Sequence, residues 1–342
     1  MKAILNFKKG VWQKPHRVIL AASVLFFIFT VRLGGQTTKV ETLVLSGPPA
    51  SVSFPLAYAV ASGALKNVAE HVEFKLWMTP DQLRSLALDK KTAIMAMPSN
   101  VAANLYNKNI AVKPLNISTW GILYMLSRDK NRTRLADFRG EEIVIPFRGD
   151  MPDIVFQILA KKQGLNIQKD FKIRYVTTPL DAMQLLLTRR VRHVILPEPA
   201  VSMALRKSGA YPIKLIAPDL FRSMSFQEEW ARVFKRKDIM PQAGIVAVGD
   251  WANNKALSKR VTDAYSQALK KCMENIAVCS YAIAPYFGYL TPEAIYDALK
   301  TSKLDAVDIR ASEAELKYFF QKLYEENPAL LGGKMPAEDF YR

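Results

Sequence analysis

The segment Ser46-Gly47-Pro48-Pro49-Ala50-Ser51-Val52-Ser53-Phe54-Pro55 brings hydroxyls, a glycine and one aromatic ring together directly ahead of a helical pattern. Residues of these types hydrogen-bond to and stack on a small polar molecule. The free backbone N–H groups of a helix N-terminus add donors without any catalytic side chain. Gly47, Ser51, Ser53 and Phe54 are therefore candidate ligand contacts. Trp77 closes the next apolar run, Ser99-Asn100 follows Pro98, and Trp120-Gly121 ends a further run. Phe147-Arg148-Gly149-Asp150 and Pro197-Glu198-Pro199 occupy the matching places later in the chain. Trp77, Ser99, Asn100, Trp120, Arg148, Asp150 and Glu198 complete the candidate set.

Two of these stretches have a local structural reading as well. In Gly149-Asp150-Met151-Pro152-Asp153, Asp150 is a natural helix N-cap, Pro152 fits the first turn and Asp153 lies three residues after the cap. Two carboxylates already use the positive end of that helix dipole, which weakens the case for a fully anionic ligand there. Arg148 either faces a ligand carboxylate or sulfonate, or pairs with Asp150. Glu198, between two prolines, either caps the following helix or accepts a hydrogen bond from a ligand N–H.

Reaction chemistry is poorly represented. The sequence has no Gly-x-Ser-x-Gly, no Walker A loop, no Gly-x-Gly-x-x-Gly and no His-Glu-x-x-His. A thiol nucleophile would have to combine Cys272 or Cys279 with His71 or His193, without any local signature. Three scattered His and two Cys argue against a metal site, and no cofactor is expected. The expectation is a binding protein, not an enzyme.

These loops need a scaffold that repeats. Residues 43–46, 72–77 and 93–97 read as strands, with helices over 54–65, 81–88 and 99–106. A second set places strands at 143–146, 172–176 and 191–196 and helices at 152–163, 180–188 and 199–207. The sets are in register: Thr79-Pro80 matches Thr178-Pro179 and Pro98 matches Pro197, each 99 residues apart. Two similar α/β lobes imply a cleft, and ligands of open α/β sheets sit outside the carboxyl ends of the strands.

The chain of 342 residues has room for two such lobes, at about 100 to 200 residues per domain. Its formal charge of +17 is uneven: Lys2, Lys8, Lys9, Lys14, Arg17 and Arg32 contribute +6 within residues 1–35, where there is no acid, which leaves +11 for the rest. Residues 18–31 are a 14-residue apolar run behind this basic leader, so 1–35 reads as an export signal or N-terminal membrane anchor. A 14-residue helix spans about 21 Å, short of the roughly 30 Å hydrocarbon core. Cleavage and retention both stay open. Elsewhere Lys and Arg are dispersed, with Arg189-Arg190, Arg192 and Lys235-Arg236-Lys237 the only dense runs and no nucleic-acid motif beside them. No nucleic-acid partner is expected.

The C-terminal third reads as helices over 255–276, 281–287, 292–299 and 313–325. Ser312 and Glu315 look like a capping box, and Leu316, Phe319, Phe320 and Leu323 form a packing stripe. Cys272 and Cys279 would lie about 10.5 Å apart on one continuous helix, beyond the ~7 Å limit for a disulfide. They bridge only if the helix breaks between Asn275 and Ser280; otherwise they are two packed thiols.

Asp137-Phe138-Arg139-Gly140 followed by the run 143–146 resembles the D-L-K-G motif and strand that open the second lobe of periplasmic solute-binding proteins of ABC importers. More narrowly it resembles the nitrate/sulfonate/taurine group, which also includes binding proteins for thiamine-precursor pyrimidines. Gly164-Leu165, the helix starting at Asp181 and Leu196-Pro197-Glu198-Pro199-Ala200 continue the match, which covers roughly residues 40–327. Arg190, Arg192 and His193 depart from it, standing where the family usually has Gly and Asp in a tight turn.

The resemblance implies a type II periplasmic-binding-protein fold, in which two α/β lobes joined by two hinge strands enclose a ligand cleft. Lobe 1 would be discontinuous, 36–125 and 246–342, and lobe 2 would be 126–245, with the chain crossing near 123–128 and returning near 243–248. By the same analogy the protein is an exported monomer, periplasmic or otherwise extracytoplasmic, that closes on a small organic solute and delivers it to an ABC permease in the membrane. A membrane-tethered ligand sensor, and less favoured a pyrimidine-synthesis enzyme of the same fold, are the alternatives.

Overall fold

The computed structural model describes residues 39–342; the leader expected over 1–35 lies outside them. Two mixed sheets carry the architecture. The first has seven strands: β1 (Val40–Gly47), β2 (Ala69–Leu76), β3 (Thr92–Pro98), β4 (Val112–Pro114), β5 (Asn116–Gly121), β11 (Ala243–Val248) and β12 (Lys303–Asp308). Its order is β12-β5-β11-β3-β1-β2, with β4 on β11. The second has β6 (Leu123–Ser127), β7 (Glu142–Pro146), β8 (Lys172–Val176), β9 (His193–Pro197) and β10 (Phe221–Ser225), ordered β10-β6-β9-β7-β8.

Thirteen helices cover the sheets among the described residues. They are α1 (Phe54–Ala61), α2 (Pro80–Leu88), α3 (Ser99–Asn107), α4 (Met151–Lys162), α5 (Ile167–Asp170), α6 (Pro179–Leu187) and α7 (Ala200–Gly209), then α8 (Ile213–Ile216), α9 (Phe226–Phe234), α10 (Lys255–Glu274), α11 (Ile276–Ile283), α12 (Pro292–Thr301) and α13 (Glu313–Glu326).

The 99-residue register recurs in three dimensions. In the first sheet β1 runs parallel to both β2 and β3, and in the second β7 runs parallel to both β8 and β9. Helices α2 and α6 begin alike: the Thr79 hydroxyl accepts from Gln82 N–H at 3.3 Å and the Thr178 hydroxyl from Asp181 N–H at 3.2 Å, each ahead of a proline at the first turn. A threonine cap followed by proline suits a helix start, since the missing proline N–H would have had no helical partner. Strands β3 and β11 are buried along nearly their whole length, whereas the edge strand β2 alternates inward and outward residues.

The chain passes from the first sheet to the second at Ile122, immediately before the run 123–128, and returns through 235–242, immediately before 243–248. The two passages lie side by side: Met240 N–H donates to Trp120 O at 2.7 Å and Gln242 N–H to Thr119 O at 2.9 Å. The C-terminal helices reach both sheets' surroundings. Helix α12 packs on α7, with Arg206 bidentate on Asp297. Helix α13 sets Phe319 against Trp230 of α9, ring centroids 5.4 Å apart, and Glu326 3.2 Å from Lys161 of α4. Its stripe Leu316, Phe319, Phe320 and Leu323 is buried.

Several local expectations are corrected. The Ser312 hydroxyl does not cap α13; it donates back to Val307 O and Asp308 O, because Ser312 already has helical dihedrals and its side chain cannot reach forward. Helix α1 stops at Ala61 and not at 65, where Gly63 turns left-handed at φ +70°. Strand β9 begins at His193, two residues later than expected, because the turn before it is made by Arg189 at φ +60°. Cys272 and Cys279 form a disulfide with Cα atoms 4.9 Å apart. Asn275 breaks the helix between them, ending α10 and capping α11 through Val278 N–H.

Candidate functional site

A cavity of about 110 Å³ lies where the carboxyl ends of the parallel strands of both sheets meet. Pro48, Trp77 and Pro98 reach it from the ends of β1, β2 and β3, and Phe147 and Pro197 from the ends of β7 and β9. The passages between sheets form its floor through Ile122, Leu123, Gln242 and Ala243. Val52, Leu83, Val101 and Met151 complete walls that are largely hydrocarbon. Phe147 takes up φ +59°, a conformation unusual for a bulky residue, in the loop that faces the cavity.

Helix N-termini point toward this space, and several of their donors are already used or missing. Pro80 and Pro152 occupy first-turn positions of α2 and α4 and have no N–H. Ser99 N–H donates to Gln242 O at 2.9 Å, and Ser202 N–H to Glu198 Oε2 at 3.0 Å. At α4 the capping is displaced by one turn. Asp153, not Asp150, accepts Gly149 N–H at 2.8 Å, and it also receives Gln157 and the Tyr175 hydroxyl.

Asp150 is thereby left over. Its carboxylate makes no cap hydrogen bond, and its ion-pair partner is Arg84 Nη2 of α2 at 3.7 Å. Burial pushes its pKa up to about 6; Arg84 opposes the shift, while Asp81 and Asp153 add to it. Arg84 is shared with Asp81 at 3.3 Å. The Arg84–Asp150 pair lines both this cavity and a second one of about 290 Å³, which is bounded by Asn100 and Asn104 of α3 and by Lys108 at its end, together with Gly149. Gln242 is the other polar group on the wall. Its Oε1 accepts Ile122 N–H at 3.1 Å, so the amide nitrogen is the end available to the cavity.

Of the residues singled out from sequence, Trp77 and Asp150 line the cleft cavity and Asn100 lines the adjoining one. Trp77 presents its ring as a wall, with Nε1 donating to Ala96 O at 3.2 Å. The others are engaged elsewhere. A Cβ on Gly47 would stand 2.2 Å from Ser53 Oγ, so Gly47 serves close packing, and Ser53 is buried against it without a hydrogen-bond partner. Ser51 Oγ bonds Ser302 Oγ at 2.9 Å, and Ser99 Oγ donates to Pro241 O at 2.6 Å. Phe54 is core, edge-on to Phe287 at 5.2 Å. Trp120 Nε1 donates to Asp305 O at 2.8 Å.

Arg148 does not pair with Asp150; it stacks over the Tyr175 ring at 5.1 Å. Glu198 is fully buried, paired with Arg222 at 2.7 Å and accepting from Thr301 Oγ1 at 2.8 Å and from Ser202 N–H. Sequence reasoning missed Arg84 and Gln242. Arg84 carries no signal beyond lying on an exposed helix face, whereas Gln242 could have been found as the residue just before the returning strand.

No protein-family model and no curated protein matches the sequence. Solved structures do match in fold. An ABC transporter from Parabacteroides distasonis is 21% identical with a TM-score of 0.68, over 87% of this chain and 98% of that one. The periplasmic nitrate-binding protein of Synechocystis PCC 6803 is 13% identical with a TM-score of 0.66, over 88% and 84%. The periplasmic aliphatic sulphonate binding protein of Escherichia coli is 12% identical with a TM-score of 0.63, over 88% and 99%. The chain therefore has the two-lobed α/β fold of periplasmic solute-binding proteins.

Proposed function

We propose that the protein is an extracytoplasmic solute-binding protein that captures a small organic molecule between its two lobes by hinge closure and delivers it to an ABC permease. The observation that carries this reading is the cavity at the carboxyl strand ends of both sheets, walled by residues from each and floored by the two passages between them. Rotation about Ile122 and 235–242 would open that space without unfolding either sheet. Trp77, Arg84, Asp150 and Gln242 are the proposed ligand contacts. The buried disulfide Cys272–Cys279 fits an oxidising compartment. Solved structures of the same fold include ligand-binding components of import systems, which supports the role.

A thermal-shift screen of the purified protein against amines, sulfonates, carboxylates, nitrate and pyrimidines tests the reading, with small-angle scattering before and after a hit to detect closure. Stabilisation by one class at one molecule per chain, with a decrease in radius of gyration, is expected. Turnover of a screened compound, or no stabilisation by any solute, would overturn it.

A further inference from the structure

We infer, on the basis of the solute-binding reading above, that the cleft takes a predominantly apolar molecule whose polar end is an amino group received by Asp150, and that it prefers such a molecule to an oxyanion. Several of the usual means of holding an oxyanion are absent from the cavity or already committed. Anion sites draw on free N–H groups at helix N-termini and on unpaired cations. Here prolines replace first-turn donors of α2 and α4, and the Ser99 and Ser202 N–H groups are bonded within the protein. Of the two arginines near the cleft, Arg148 lies on Tyr175 and Arg84 is divided between Asp81 and Asp150.

What the cavity does offer is an acceptor. The Asp150 carboxylate is largely buried, with 14% of its side chain exposed, and its guanidinium partner at 3.7 Å is beyond hydrogen-bond distance. A carboxylate left in apolar surroundings without a close donor is costly, and a ligand N–H that reaches it recovers that cost. The charged groups around it are Arg84 and Asp81 from α2, Asp153 from its own helix and Lys108 across the adjoining cavity. Trp77, Leu83 and Phe147 supply surface for a hydrocarbon body, and the Gln242 amide nitrogen can direct a second polar atom.

The test is calorimetric titration of the purified protein with three probes of one skeleton: benzylamine, benzyl alcohol and benzenesulfonate. Benzylamine should bind tightest and benzenesulfonate weakest. Asp150→Asn should weaken benzylamine about tenfold or more, the worth of a hydrogen bond to a charged group, and leave benzyl alcohol little changed. Acidifying the wild-type protein through about pH 6 should reproduce that loss for benzylamine, so the result does not depend on the variant folding.

Benzenesulfonate binding more tightly than benzylamine, or benzylamine affinity unmoved by both the substitution and acid, would overturn the inference. So would failure of all three probes while the broader screen finds another solute, an outcome that leaves the solute-binding reading standing. Binding of nothing in either experiment would remove both.

Discussion

Replacing Glu198 should cost the protein stability and leave its ligand affinity alone. The carboxylate is fully buried and joins four parts of the fold: its own position after β9, the first turn of α7 through Ser202 N–H, β10 through Arg222 and α12 through Thr301. Glu198→Ala strands Arg222, and breaking a buried ion pair costs about 3 to 5 kcal/mol. Arg222 retains 24% side-chain exposure and stacks over Tyr124 at 4.4 Å, so water reaches it and the lower figure applies. Thr301 keeps an alternative acceptor in Asp297 O at 2.9 Å and adds little. Ser202 N–H loses its acceptor at a helix start, worth about 1 kcal/mol. The expected loss is about 4 kcal/mol for alanine and about 2 to 3 kcal/mol for glutamine, whose single carbonyl oxygen can replace Oε1 or Oε2 but not both, so that its amide nitrogen faces a donor. Urea unfolding, with the midpoint falling at unchanged slope, measures it. An alanine variant that unfolds within about 1 kcal/mol of the parent but loses ligand affinity would refute the reasoning and return Glu198 to the binding site.

Three further outcomes follow from the same geometry. Reducing Cys272–Cys279, which closes a short loop at the corner of α10 and α11, should lower stability by about 2 kcal/mol; urea curves that coincide with and without reductant would show that the bridge contributes nothing. Acid stability should reflect two opposed groups. Burial lowers His193 from 6.5 to about 4, so its contribution is complete above pH 6.5 and is lost as pH falls toward 4; Asp150, raised from 3.8 to about 6, gains stability over nearly the same fall. Each effect is at most about 3 kcal/mol, so Asp150→Asn should steepen the acid loss measured by unfolding between pH 6.5 and 4, and an unchanged slope would contradict the assignment. Arg189→Gly, at φ +60°, should raise the unfolding free energy measured in urea by up to about 1 kcal/mol, and a decrease would mean that the arginine side chain outweighs its backbone strain.

The parallel cores were legible because their signals are local and repeated. Thr79-Pro80 and Thr178-Pro179 each join a helix cap to a proline, and the apolar runs between them are short and bounded. Strands β10 and β12 were not legible: FRSMS and KLDAVD are mixed in polarity because they lie at sheet edges, where no continuous apolar run is required. The loops that build the cleft were found, but most of the polar residues chosen from them turn inward. Polar groups near strand ends satisfy other parts of the fold as readily as a ligand: Ser51 meets the Ser302 hydroxyl, and Ser99 and Trp120 donate to the Pro241 and Asp305 carbonyls. Asp150, expected as a cap, makes no cap hydrogen bond and lines the cavity, while Asp153 accepts the Gly149 N–H.

The last third of the chain limits how this fold can be recombined. Helices α12 and α13 press on the second sheet's helices from opposite faces, α12 on α7 and α13 on α4 and α9. One hydrophobic cluster joins Leu316, Phe319 and Trp230 to Ile143 and Ile195, and another joins Ile295 and Ala298 to Val194 and Val201. A segment cut at the two passages and grafted into a relative would thus carry two apolar faces shaped for partners left behind. Exchange of the second lobe between related proteins is tolerable only when the matching surfaces of the terminal helices, Asp297, Glu315, Tyr318 and Phe319 among them, travel with it.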